Sequence, residues 1–254
     1  MASPESTPDE GGAGGIAGNR LLEALPSSSR LHLTGLMTPV VVPMRTVLFE
    51  PGQAIRSVDF PRGCVETLVT PTRDGRTVEV ASVGSDGILG VPLVPGGSLA
   101  VRAVCSVTGV VDRIDATAFA DLVAHDVHLR ELVDDYRQSL FNRLSTTVAC
   151  NRLHTTRERL ARWLLTSADQ TGASRFATTF GFLGQLLGCS ETAAARSAQA
   201  LQEAGLISLR RGRITIVDAA RLRMASCECY LLIKREADGV VQKALVRTLV
   251  LTDS

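Results

Sequence analysis

Between residues 40 and 114 the apolar residues come in short runs separated by turn signals, and beyond Ala116 they fall into a helical period. The runs occupy residues 40–42, 47–49, 58–60, 65–69, 78–83, 99–107 and 110–114. Pro51-Gly52, Pro61-Arg62-Gly63, Asp74-Gly75 and Pro95-Gly96-Gly97 stand between them. Several short strands at that spacing predict a barrel or roll, not a βαβ sheet. Asp74-Gly75, flanked by alternating runs, predicts a two-residue hairpin turn. Residues 1–18 are mostly Gly, Ser, Pro and acidic, too polar to offset the entropy of ordering them, and predict a disordered leader.

Leu129, Val133, Tyr136, Leu140, Leu144 and Thr147 recur at spacings of three and four, which predicts a helix from about Val127 to Cys150 with one apolar side. At 1.5 Å per residue it would be roughly 36 Å long. That side can pack on its own domain or form a dimer seam. The dimer is preferred, because the segment that follows needs a two-fold partner, although too little a/d repetition is sustained for a coiled coil. A second helix starts near Thr155, where Thr155 and Glu158 have capping-box spacing, carries Leu160, Trp163 and Leu164 inward, and closes at Gly172.

Two short helices and a hairpin come next. Thr179 can cap a helix with Phe182, Leu183, Leu186 and Leu187 on its apolar side, ending at Gly188. Cys189 fills the turn, and Ser190 can cap a helix running to Ala204 with Ala194, Ala198 and Leu201 inward and Gly205 at its end. Helices so joined have helix-turn-helix geometry, in which the second helix lies in the major groove of DNA. Glu191, Thr192 and Arg196 share its outer side, and an arginine fork can bond two guanine acceptors at once. Residues 206–210 and 213–217 then form a hairpin around Arg211-Gly212. Its Arg210, Arg211 and Arg213 suit phosphates beside the groove. Candidate DNA contacts are therefore Thr179, Ser190, Glu191, Thr192, Arg196, Arg210, Arg211 and Arg213.

Charge supports the assignment. The net charge is only +1, but residues 1–151 hold 12 Arg/Lys against 17 Asp/Glu, whereas residues 152–213 hold 9 against 4. All nine are arginines, compatible with a polyanion partner on this part of the chain. With 254 residues, 45% of them hydrophobic, the chain can build two cores, and 4% aromatic content makes those cores aliphatic. No run of eighteen apolar residues and no basic-then-apolar leader occurs, so a cytoplasmic protein without membrane contact is expected. Cys64, Cys105, Cys150, Cys189, Cys227 and Cys229 are scattered, and in a reducing compartment read as small buried hydrophobes.

The segments Gly184-Gln185-Leu186-Leu187-Gly188-Cys189-Ser190, Ala204-Gly205-Leu206-Ile207-Ser208 and Arg210-Arg211-Gly212-Arg213-Ile214-Thr215-Ile216, with Arg196 between them, resemble the DNA-binding domain of the Crp/Fnr family. Leu48-Phe49-Glu50-Pro51-Gly52, Val58-Asp59-Phe60-Pro61 and Asp74-Gly75-Arg76-Thr77-Val78-Glu79-Val80 resemble its cyclic-nucleotide-binding-type β-roll. The likeness spans roughly residues 20 to 230. It implies an α+β fold: an N-terminal double-stranded β-roll (19–126), a long dimerisation helix (127–152) and a C-terminal winged helix-turn-helix (153–230). A tail, 231–254, is expected to be helical. The resemblance further implies a homodimer on double-stranded DNA with two symmetry-related half-sites, and RNA polymerase as a partner if the protein activates.

Departures from the family pattern fall in the effector pocket, at Gly87, Gly90, Val91, Ser98 and Arg102. Nucleotide-binding members meet the ribose with Gly-Glu-Leu and the cyclic phosphate with Arg-Ser or Arg-Thr. Here Val91 and Pro92 follow Gly90, Gly97 precedes Ser98, and Arg102 is a weak substitute within a strand. Tight cyclic-nucleotide binding is not expected, the effector is unknown, and no cofactor is predicted. The first cysteine is Cys64, so the N-terminal cysteine cluster that would hold the iron–sulfur centre of oxygen-sensing members is not found and no such centre is expected, and His32, His125, His128 and His154 lack haem spacing. Glu191 stands where the family often has arginine. Cys227-Glu228-Cys229-Tyr230 resembles a stretch near the end of some members, but two cysteines fall short of the four ligands of structural zinc, so no metal site is expected. No catalytic triad, metal-ligand spacing or phosphate loop suggests an enzyme. A second reading is a thiol-based redox regulator using Cys64, Cys105 or the Cys227/Cys229 pair.

Overall fold

The computed structural model describes residues 18–91 and 97–252. The expected leader, except for Gly18, and most of the Pro95-Gly96-Gly97 turn lie outside the described residues. Two short helices that the apolar pattern did not predict come first, α1 (Arg20–Glu23) and α2 (Ser27–Gly35). The strands follow: β1 (Thr38–Val42), β2 (Val47–Phe49), β3 (Ser57–Arg62), β4 (Val65–Pro71), β5 (Thr77–Val83), β6 (Arg102–Val107) and β7 (Gly109–Asp115). They pair antiparallel in two sheets, ordered β1-β7-β3 and β2-β6-β4-β5. Val42, Cys64, Cys105 and Val111 pack together, drawing on both sheets. The β4–β5 turn is one residue longer than expected. Thr72 N donates to Arg76 O, Gly75 N donates to Thr72 O, and Gly75 takes φ 81°, which makes a three-residue loop with a glycine bulge.

The remaining elements are α3 (Ala116–His125), α4 (Val127–Leu153), α5 (Thr156–Thr171), β8 (Arg175–Ala177), α6 (Phe180–Leu187), α7 (Glu191–Glu203), β9 (Ile207–Arg210), β10 (Arg213–Ile216), α8 (Ala219–Ala225) and α9 (Cys229–Thr252). The expected class is observed: a β-roll, a long helix and a winged helix-turn-helix. Among the described residues no helix is long and apolar enough to cross a membrane.

Asp126 opens α4 by accepting from the backbone of His128 and Leu129. Its predicted apolar stripe faces the roll. Leu129, Val133 and Tyr136 share a core with Phe60, Ile114 and Phe119, while Leu140 and Leu144 pack toward Leu68, Ala81 and Val83. Thr147 is buried, its hydroxyl donating to Arg143 O. The preference for a dimer seam along this stripe is therefore corrected: the roll is open on that side, and burying the stripe there removes apolar surface of both from water. A different row faces solvent, Asp134, Gln138, Phe141, Ser145, Val148 and Arg152, at the same spacing.

The segment read as a tail is part of the core. Antiparallel to α4, α9 accepts at Glu236 O from the Ser139 hydroxyl (3.1 Å) and at Glu236 Oε2 from Asn142 Nδ2 (3.0 Å). Arg247 pairs with Asp135 at 2.6 Å and Glu131 at 3.4 Å, and Val240 and Ala244 join the core beneath α4.

Inside the roll, Asp59 receives two hydrogen bonds from Arg113, at 2.6 and 2.5 Å, beside the fully buried Glu66. Burial pushes the Glu66 carboxyl well above the ordinary carboxylate range, and the Asp59 charge adds to the effect. The folded chain therefore keeps a proton that the unfolded chain releases above a pKa of about 4.3. Stability from this group falls as pH rises from there toward the folded-state pKa. Glu66→Gln should raise the urea midpoint more at about pH 8 than at about pH 5. An equal change at both would mean that Glu66 stays ionised when folded.

Candidate nucleic-acid interface

Local chemistry sets the two helices at a fixed distance. Thr179 Oγ1 accepts from Phe182 N (3.2 Å) and Ser190 Oγ from Ala193 N (3.2 Å), satisfying amides that α6 and α7 leave open. Between them α6 ends on Gly188 in the left-handed conformation. Gly184 is the close-approach point, because a β-carbon there would lie 2.8 Å from Cys189 O. Ala194, Ala198 and Leu201 face inward, joining a core with Leu160, Trp163 and Leu164 of α5.

The other face of α7 is open. Glu191, Thr192 and Arg196 are exposed together, with Gln199 on the same side; the sequence reading missed Gln199, though its three-residue offset from Arg196 signals it. Gln202 Oε1 accepts from Leu209 N at 2.7 Å and ties α7 to the hairpin. The wing has three strands in the order β8-β10-β9, the three-residue β8 having gone unpredicted. Arg211 and Gly212 turn it with φ of 48° and 72°, and Arg210, Arg211 and Arg213 are exposed.

Two of the nine arginines in the basic segment do other work. Arg159 donates to Leu187 O (2.8 Å), closing the end of α6, and Arg162 is buried against Glu79. The surface is thus less basic than the count implied. From the roll, Arg45 donates to Thr179 Oγ1 at 2.6 Å and lies 5.4 Å from the centre of the Phe182 ring. Thr77 Oγ1 donates to Gln185 O at 2.9 Å, so α6 is seated on the roll and Thr179 is engaged as both cap and docking point.

The predicted effector residues are not one group. A cavity of about 300 Å³ is lined by Gly90 and Val91, with Ile55, Phe119, Val123 and Arg137 among its other walls. Ser98 adjoins the lining residue Gly97. Gly87 lies elsewhere: its carbonyl accepts from Asn19 Nδ2, and Tyr136 stands where its side chain would be. Arg102 is a correction. It pairs with Glu50 at 2.9 Å and lines the cleft shared by the roll and α6, because its strand turns it away from the cavity. The cation on the cavity wall is Arg137, whose Nη1 donates to Asp134 at 2.9 Å.

Cys64 and Cys105 lie buried with sulfurs 3.7 Å apart, and Cys189 is half-buried in the α6–α7 turn. Cys227 and Cys229 do not stand alone. Cys150 and His154 lie beside them, and the four ligand atoms are within 4.8 Å of one another.

A capped helix pair with an exposed outer face and a cationic wing is the recognition unit of a DNA-binding regulator. Residues 158–225 match a family model described as the Crp-like helix-turn-helix domain. That segment is similar to the Crp-like helix-turn-helix domain, and about three quarters of the chain or more shares the fold of solved structures described as Crp/Fnr regulators. No curated protein sequence matches the chain. Among solved structures, FixK2 from Bradyrhizobium japonicum is similar at 16% identity and TM-score 0.62, over 75% of this chain and 98% of that one. A CRP-family transcriptional regulator from Thermus thermophilus is similar at 17% identity and TM-score 0.61, over 75% and 96%. A third structure, a Crp/Fnr-family regulator from Eubacterium rectale, gives 15% identity and TM-score 0.57, over 81% and 96%.

Gly184→Val should lower stability by about 1–3 kcal/mol, because the added side chain meets backbone that cannot retreat. Thermal unfolding at an unchanged temperature would mean that α6 and the turn have room there.

Proposed function

We propose that the chain is a cytoplasmic transcription regulator that binds a two-fold operator as a homodimer, each α7 entering one major-groove half-site. The observation that carries this reading is the outer face of α7, where Thr192 and Arg196 are exposed beside a wing bearing Arg210, Arg211 and Arg213. Arg196 reads base edges, and the wing arginines hold phosphates and fix the approach. Glu191 favours cytosine over a phosphate, so the operator differs from those of relatives with arginine there.

The seam of the dimer is the solvent row of α4. Phe141 and Val148 are 60% and 63% exposed, seven residues apart, on a helix whose opposite side is covered by the roll and α9. Against a two-fold mate they would supply the apolar contacts that the buried stripe does not. The effector cavity has mainly apolar walls, and its arginine already bonds Asp134, which supports loss of cyclic-nucleotide binding. If the regulator activates, RNA polymerase is its further partner.

Arg196→Ala should weaken binding to the selected operator by about 1–3 kcal/mol and leave random DNA unaffected, whereas Arg211→Ala weakens both and reduces the salt slope by about 1. Fluorescence anisotropy across a salt series checks both, and equal losses on the two DNAs for the Arg196 change would remove its base-reading role. The double change Phe141→Glu with Val148→Glu should convert the dimer to monomer by light scattering. A persistent dimer would place the seam elsewhere.

A further inference from the structure

We propose that Cys150, His154, Cys227 and Cys229 form a mononuclear site for a zinc-type divalent ion, fastening the end of α4 to the start of α9. Two sequence-distant pairs supply the ligands. Cys150 and His154 stand four residues apart at the last turn of α4, hence on one side of it. Cys227 and Cys229 straddle the α8–α9 junction, with Cys229 opening α9.

The distances suit one ion. Ligand atoms around tetrahedral zinc, at about 2.1–2.3 Å from the metal, stand roughly 3.5–3.8 Å from each other. Here Cys150 Sγ lies 3.5 Å from Cys227 Sγ, and Cys229 Sγ 3.7 Å from His154 Nδ1. An iron–sulfur cluster would hold its ligands farther apart. The imidazole is also oriented for the task. Nε2 faces Glu228 Oε2 at 3.2 Å, so a proton held there leaves the Nδ1 lone pair pointing at the sulfurs. A histidine ligand backed by a carboxylate on its other nitrogen is the usual outer arrangement of zinc sites.

Ordinary burial accounts poorly for these thiols. Cys64 and Cys105 pack among Val42 and Val111, as small hydrophobes do, whereas Cys150, Cys227 and Cys229 form a buried cluster of their own, against an imidazole. Binding would release the thiol protons to solvent, and three sulfurs with one imidazole select zinc over magnesium or calcium. His154 and Thr155 alone connect α4 to α5, so the ion would fix the joint between the roll with its long helix and the helix-turn-helix domain. The site stands whether or not the chain binds DNA.

The test uses the full chain, purified under reducing conditions without chelator. Mass-spectrometric metal analysis should find about one zinc per chain. After chelation, titration with Co²⁺ should give the thiolate-to-cobalt charge transfer and visible bands of a tetrahedral site. Cys227→Ser and His154→Ala should lose them, Glu228→Gln should weaken binding by about 10–100-fold, and Cys189→Ser should match the parent. If the ligand variants fail to fold, the cobalt spectrum of the parent chain carries the test. A parent chain with neither zinc nor a thiolate–cobalt spectrum would overturn the proposal. So would full occupancy in a folded Cys227→Ser variant, or a Cys150–Cys227 disulfide in anaerobically prepared protein.

Discussion

The contact on which the arrangement depends is the ion pair of Arg162 and Glu79, 3.2 Å apart with side chains 1% and 2% exposed. One belongs to α5 of the DNA-binding domain and the other to β5 of the roll, so neither charge is compensated unless the domains dock. Removing a buried charge from water costs several kcal/mol, and only a well-placed partner offsets it. Around the pair, Asn151 Nδ2 donates to Glu79 O at 2.8 Å, and Gln170 Nε2 donates to Asp86 Oδ1 at 3.0 Å. Arg143 approaches the same Asp86 at 3.5 Å and donates to Ser82 O. These polar contacts need specific geometry, which an apolar interface of the same area would not impose. They orient α5, and α5 carries the helix-turn-helix.

Much of this was legible in the chain. Short apolar runs between turn signals located the strands, β3, β4 and β6 each carrying four or more consecutive buried residues, and the capping residues Thr155, Thr179 and Ser190 marked three helix starts because unsatisfied amides need an acceptor there. The recognition helix and wing were readable because small, capping and cationic residues recur at fixed offsets. Other features were not local. Periodicity shows that α4 has an apolar side but not whose surface covers it, and here the roll does. Arg159 and Arg162 counted as surface charge because composition is blind to burial. β8, at three residues, is too short to carry a pattern.

The cysteine cluster shows the same limit from another side. Cys150 and Cys227 are 77 residues apart in sequence, so no spacing rule joins them. Cys-x-x-x-His at one helix end and Cys-x-Cys before another are each incomplete, and only the return of α9 along α4 makes them one group. Arg102 failed as an effector residue for a related reason: it was placed on the right strand, which begins at Arg102 and not at residue 99, but the side chain serves the opposite surface, against Glu50.

That return of α9 also has a bearing on how the protein is made. Val240 and Ala244 finish a core begun by Leu21 and Leu22, and Arg20 pairs with Asp238 at 2.7 Å, so the first described helix closes against one translated after the DNA-binding domain. A nascent chain gathers its domains from the N-terminus onward. This one must hold an incomplete roll, one flank of α4 bare, through synthesis of the entire DNA-binding domain before the remaining apolar surface is sealed.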